Sequence, residues 1–147
     1  MEIQRNTHHV YRIMYHFVWI PKYRNKVFAK PYAETLKAII IKTAYDYDME
    51  VVEMEIPKDH IHMAIQAEPR MSPADIMMII KSVSAREFFK RYPAMKEKYF
   101  WGGKLWTSSY YVETVGNRNE EEMRKYVRDQ IKKEENIVNQ MKQLKLL

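Results

Sequence analysis

The order of elements along this chain predicts an α+β fold: a ferredoxin-like (RRM-like) βαββαβ sandwich with an antiparallel sheet and one added C-terminal helix. Three observations carry that expectation. Runs rich in β-branched and aromatic residues alternate with helically spaced apolar residues in the order strand, helix, strand, strand, helix, strand. The third strand, His60 to Ala67, has two chemically distinct sides. A long amphipathic segment with its own start signal follows the fourth strand.

The first strand is expected over Val10 to Ile20, apolar on both faces in its later part as a central strand should be, and Pro21 ends it. A basic loop, Lys22-Tyr23-Arg24-Asn25-Lys26, follows. Leu36, Ile40, Thr43 and Tyr47 fall near helical spacing, which places a helix from about Pro31 to Asp48. Met49 to Ile56 is the second strand, and Pro57-Lys58-Asp59 turns it into the third. Ser72 suits an N-cap and Pro73 the first helical position, so the second helix starts there. Ile76, Ile79, Ile80 and Val83 form its apolar stripe, while Lys81, Arg86, Lys90 and Arg91 make much of the rest basic. After a loop at Gly102-Gly103, the fourth strand is expected over Leu105 to Val115. Gly116-Asn117-Arg118 connects it to a last helix capped by Asn119, with Glu122 completing a capping box. A length of 147 residues fits one domain, 1–147, divided into a core over 1–116 and a C-terminal helical part over 117–147.

Composition narrows the function. The chain has no cysteine, so disulfides and thiolate metal sites are excluded and a reducing compartment is favoured. Met1 to His9 is polar, and Ala38-Ile39-Ile40-Ile41 is too short an apolar run to cross a bilayer. A cytoplasmic protein is expected. Lys and Arg outnumber Asp and Glu by 25 to 19, a net charge of +6, which attracts polyanions and makes nucleic acid a natural partner.

The most specific pattern is His60-Ile61-His62 combined with Tyr126 and Gln130. On a strand, residues two apart point the same way. Ile61, Met63 and Ile65 therefore share a core side, and His60, His62, Ala64 and Gln66 share the other. In this fold both crossover helices cover one sheet face, so the histidine side is expected to be open. Tyr126 and Gln130, four apart on a helix, share one helical face about a turn apart. Two imidazoles, an amide oxygen and a phenol are a set that holds a divalent metal beside a nucleophilic tyrosine, chemistry suited to phosphodiester cleavage with a covalent protein–DNA link. Taken singly, each residue has a plainer reading: Tyr126 packs beside Met123, Val127 and Ile131, and Gln130 is solvated. Lys22, Arg24 and Lys26, with Lys81 and Arg86, are candidate nucleic-acid contacts or simply solvated basic surface.

Four segments resemble the TnpA-type HUH single-tyrosine transposases, carried by insertion sequences that move as single-stranded DNA. They are Tyr15 to Arg24, Asp59-His60-Ile61-His62, Leu105 to Val112 with Val115-Gly116, and Tyr126-Val127-Arg128-Asp129-Gln130. Their order and spacing agree over nearly the whole chain. The resemblance implies that His60, His62 and Gln130 bind Mg²⁺ or Mn²⁺ and that Tyr126 attacks the scissile phosphate to form a 5′-phosphotyrosine. It implies single-stranded DNA with subterminal hairpins as substrate, excision and insertion of an insertion sequence, a homodimer, and a prokaryotic, DNA-associated setting. Gly116 would suit a movable connection to the tyrosine helix. The rival readings are a domesticated nickase acting on repetitive hairpins, a replication or conjugation nickase, and a non-catalytic ferredoxin-like RNA-binding module with an open sheet face.

Overall fold

A computed structural model describes residues 3–6, 8–23, 28–57, 59–100, 102–116 and 120–144, apart from the side chains at 120, 123, 124, 127, 128 and 130–132. Arg24, Lys26, the expected cap Asn119 and the side chain of Gln130 lie outside the described residues.

The elements are β1 (Gln4–Arg5), β2 (Val10–Tyr11), β3 (Met14–Trp19), α1 (Tyr32–Asp46), β4 (Glu50–Glu55), β5 (Ile61–Gln66), α2 (Pro73–Arg91), α3 (Pro93–Tyr99), β6 (Tyr111–Val115) and α4 (Glu120–Gln143). β1 and β2 form a small ribbon of their own, and the main sheet has the order β4-β5-β3-β6, every neighbouring pair antiparallel. This is the expected ferredoxin-like arrangement, with the two strands nearest the middle, β3 and β5, the most buried.

Register sorts the side chains into two faces. Phe17 lies opposite Met63 on one side and Val112 on the other, and Trp19 lies opposite Ile61. These residues, with Ile65, face the core shared with Leu36 and Ile40 of α1 and Ile76, Met77, Ile80 and Phe88 of α2. Full burial of each such side chain contributes about 2 kcal/mol. A one-residue slip would turn the whole row outward, so burial fixes the register. The other face carries Met14, His16 and Val18 of β3, His62, Ala64 and Gln66 of β5, and Tyr111, Glu113 and Val115 of β6. His16 sits directly opposite Ala64 and opposite Glu113.

That second face is not open, contrary to the sequence expectation. His60, His62, Ala64 and Gln66 are all buried, because α4 lies over the sheet and brings Glu134, Val138 and Met141 into the interior. The spacing 134, 137, 138, 141 is a helical stripe, and Ile137, Val138 and Met141 join the main core.

Three further differences have local causes. The first expected strand breaks in two, because Val10–Tyr11 pairs with β1 rather than with the main sheet. The fourth is shorter than expected: among the described residues only a Pro21–Trp106 bridge precedes Tyr111, and Pro21 has no N–H with which to extend the ladder. Trp106 donates its Nε1–H to Ser84 Oγ (2.9 Å), tying this segment to α2. α3, unexpected from the sequence, starts at Pro93 and buries Met95. At Gly103 the chain turns with φ +81°, a conformation that favours glycine.

The start of α2 follows its sequence signals. Ser72 Oγ accepts from the Asp75 N–H, and the Asp75 carboxylate accepts from the Ser72 N–H, a complete capping box with Pro73 in the first turn. Ser72→Ala is expected to lower stability by about 1 kcal/mol, read as a lower urea midpoint with an unchanged slope.

Candidate active site

Two strands and one helix build the site. β3 supplies His16, β5 supplies His62, and the turn before β5 supplies Asp59 and His60. α4 crosses above them and lowers Glu134 between the histidines. One Glu134 oxygen meets His62 Nδ1, and the other accepts from His60 Nε2 at 3.0 Å. His16 Nε2 lies 2.9 Å from His62 Nδ1 and 3.6 Å from the first Glu134 oxygen.

The electrostatics follow from this packing. Burial alone would raise the Glu134 carboxyl, but hydrogen bonds from His16, His60 and His62 outweigh it and hold the group well below the usual carboxylate range. Burial would likewise lower His60, yet its bonds to Glu134 and Asp59 prevail and raise it. The His60 Nδ1–H donates to Asp59 (2.9 Å), whose other oxygen accepts from Lys142 Nζ at 2.5 Å. The far end of α4 is thereby clasped to the turn that carries His60.

His16, His62 and Glu134 are a buried group able to hold a metal ion. The donor set fits one: His16 Nε2, His62 Nδ1 and a hard oxygen of Glu134 converge. His60 flanks this group through the second Glu134 oxygen. Gln130 stands on α4 one turn before Glu134 and one turn after Tyr126.

Tyr126 lies over the same sheet face. Its ring packs against Met14, Ala64 and Val115 and stands edge-on to His16, with centroids 6.1 Å apart. Its hydroxyl donates to Glu113 Oε1 at 2.5 Å. The structure thus brings His60, His62 and Tyr126 into one neighbourhood and adds His16, Glu113 and Glu134. His16 and Glu113 were legible from strand alternation, and Glu134 from the row 126, 130, 134 on one helical face, but none belongs to a short motif.

The basic candidates separate. Lys22 is half-buried and lines a cavity of about 220 Å³ with Asp59, Thr107 and Lys142. Arg86 is exposed beside Glu87. Lys81 is engaged inside the fold: its Nζ donates to the carbonyls of Thr107 and Ser109 at 2.9 and 2.8 Å and lies over the Tyr110 ring. It holds the irregular segment that leads into β6.

Comparison with known proteins identifies the family. A family model described as "Transposase IS200 like" matches residues 9–130. This chain belongs to the IS200-like transposases. The ISDra2 transposase TnpA of Deinococcus radiodurans is 37% identical over 134 residues, covering 91% of this chain and 95% of that protein. The transposase for insertion sequence element IS200 of Salmonella typhimurium is 29% identical over 128 residues, covering 87% and 83%. A Deinococcus radiodurans crystal structure described as a transposase candidate superposes with a TM-score of 0.68 at 32% identity, over 86% of this chain and 97% of that one. A REP-associated tyrosine transposase bound to a REP hairpin shares the fold, with a TM-score of 0.53 at 15% identity over 84% and 67% of the two chains. As an IS200-like transposase, the protein is an enzyme that cleaves and rejoins DNA. Among the described residues, no helix is long and apolar enough to cross a membrane.

Lys81 yields a pH prediction. Burial pushes its ammonium down to about 8. The unfolded chain, with an ordinary lysine pKa of about 10.4, therefore binds more protons between those values, and stability rises with pH through that window. Lys81→Met should remove this rise, measured as urea midpoints across the window, and the Lys81 side-chain NMR signals of the native protein should titrate near the lower value.

Proposed function

We propose that this transposase cuts single-stranded DNA through Tyr126, with a divalent ion, Mg²⁺ or Mn²⁺, held at the histidine cluster. The observation that carries the reading is that α4 places a phenol and a carboxylate on the same sheet face as His16, His60 and His62. Tyr126 Oη attacks the scissile phosphorus. The Oη–P bond forms as the P–O3′ bond breaks; the phenol gives up its proton and the departing 3′-oxygen gains one. The product is a 5′-phosphotyrosine with nearly the energy of the original phosphodiester, so the reverse attack by a 3′-hydroxyl rejoins DNA without ATP. When bound, the ion neutralises the scissile phosphate and stabilises the departing oxygen.

His60 and His62 would hold the ion through the ring nitrogens that now meet Glu134, together with an oxygen from α4. Gln130 or Glu134 supplies that oxygen, the two being one turn apart on one helical face. Asp59, accepting from His60 Nδ1, fixes the orientation of that ring. Lys22 stands beside the Asp59 turn, where a neighbouring phosphate would pass. The substrate is single-stranded DNA bearing a hairpin near the element end, supported by the REP hairpin bound to a relative of like fold. The working form is a homodimer. Single-strand transposition of an insertion sequence is favoured over a domesticated nickase by the identity to ISDra2 TnpA along nearly its whole length. The RNA-binding module reading required an open sheet face for base stacking, and α4 covers it.

The test is incubation with single-stranded DNA from the flanks of the gene plus Mn²⁺, followed by a denaturing gel. Tyr126→Phe should abolish the protein-linked 5′ end while DNA binding persists; a retained adduct would exclude Tyr126 as the nucleophile. His62→Ala should lose metal-dependent cleavage by about 100-fold or more, in line with removal of a metal-site group, and should lose the thermal shift produced by Mn²⁺. Undiminished cleavage in EDTA would overturn the metal role.

A further inference from the structure

Glu113 lies on β6 directly opposite His16, on the sheet face beneath α4. Both of its oxygens are engaged by phenols: Tyr126 Oη donates to Oε1 at 2.5 Å, and Tyr111 Oη donates to Oε2 at 3.1 Å. His16 Nδ1 stands 3.4 Å from Oε1. Sheet formation alone does not call for a carboxylate here, since glutamate is a poor strand former. The Tyr126 ring rests on the apolar cluster Met14, Ala64 and Val115, which needs no acid beside it.

The geometry points to Glu113 as the residue that aims the attacking tyrosine. A phenol has one hydrogen and two lone-pair directions. Donating that hydrogen to Oε1 fixes the C–O–H torsion and turns the lone pairs of Oη away from Glu113. The edge-on His16 ring fixes the phenol plane from the side. Tyr111 holds the second carboxylate oxygen and so fixes the carboxylate itself. Nucleophile, acceptor and steadying hydroxyl come from α4 and from two residues of one strand. Aim is worth much in such a reaction, because a misplacement of about 1 Å at the reacting atoms costs on the order of 100-fold in rate.

This inference rests on Tyr126 being the nucleophile, and the experiment separates the two. Single-turnover cleavage of saturating single-stranded DNA with Mn²⁺ is measured for Glu113→Ala, Glu113→Val, Glu113→Gln, Tyr111→Phe and Tyr126→Phe. Val is included because it suits a strand if Ala weakens the fold. Glu113→Ala and Glu113→Val should lose about 10- to 100-fold in the cleavage step, with DNA and Mn²⁺ affinities unchanged. Glu113→Gln, whose amide oxygen can accept the same hydrogen, should recover to within about fivefold of the parent, and Tyr111→Phe should lose about two- to fivefold. In protein labelled with ¹³Cζ-tyrosine, the signal missing from Tyr126→Phe should shift in Glu113→Val before any DNA is added. Full-speed cleavage by Glu113→Val, or equal losses in the Val and Gln variants, would overturn the role of Glu113. An adduct formed by Tyr126→Phe would instead overturn the nucleophile on which it rests.

Discussion

One carboxylate organises the outer face of the sheet. Glu134 descends from α4 into a layer that already holds three buried imidazoles, and each of its oxygens meets a different histidine. Ionised groups are seldom buried so fully unless they are paired, and here the pairing works in both directions. The histidines hold the acid ionised, and the acid holds the rings in place. Remove it, and α4 has a polar gap in the middle of its buried stripe, while β3 and β5 present imidazoles to an apolar cover. The placement of Tyr126 therefore depends on a residue two helical turns away.

The sheet supplies the other half of the organisation. Antiparallel register sets His16 beside Glu113 on one neighbour and Ala64 on the other, so that the small alanine leaves room for the phenol that packs above it. The same register sends Phe17, Met63 and Val112 into the core with α1 and α2. Fold stability and site geometry are two sides of one pairing pattern. A change that shifts the pattern by one residue loses both at once.

Much of this was legible in the sequence. The element order, the Ser72–Pro73 helix start, the two-sidedness of His60 to Ala67 and the placement of Tyr126 on a terminal helix all followed from local rules. What local rules could not reach was the destination of α4. Ile137, Val138 and Met141 stand at helical spacing, but periodicity does not name the surface that buries such a stripe. The expectation of an open histidine face failed for that reason. His16 went unnoticed because its strand reads as apolar, and Glu113 because Tyr126, one of its two phenol partners, lies on another element. Lys81 looked like surface charge on a basic helix, yet its ammonium bonds to carbonyls that only the irregular path of residues 107 to 110 brings within reach.

The clasp between Lys142, Asp59 and His60 makes α4 a lever arm. Lys142 and Tyr126 stand 16 residues apart on one continuous helix, a span of about 24 Å, so a tilt of about 10° around the clasp carries the phenol through about 4 Å. The Tyr126 phenol is thus carried at the far end of a rod whose pivot touches the histidine turn. Small adjustments at Asp59, too slight to disturb the sheet, arrive at the Tyr126 hydroxyl magnified.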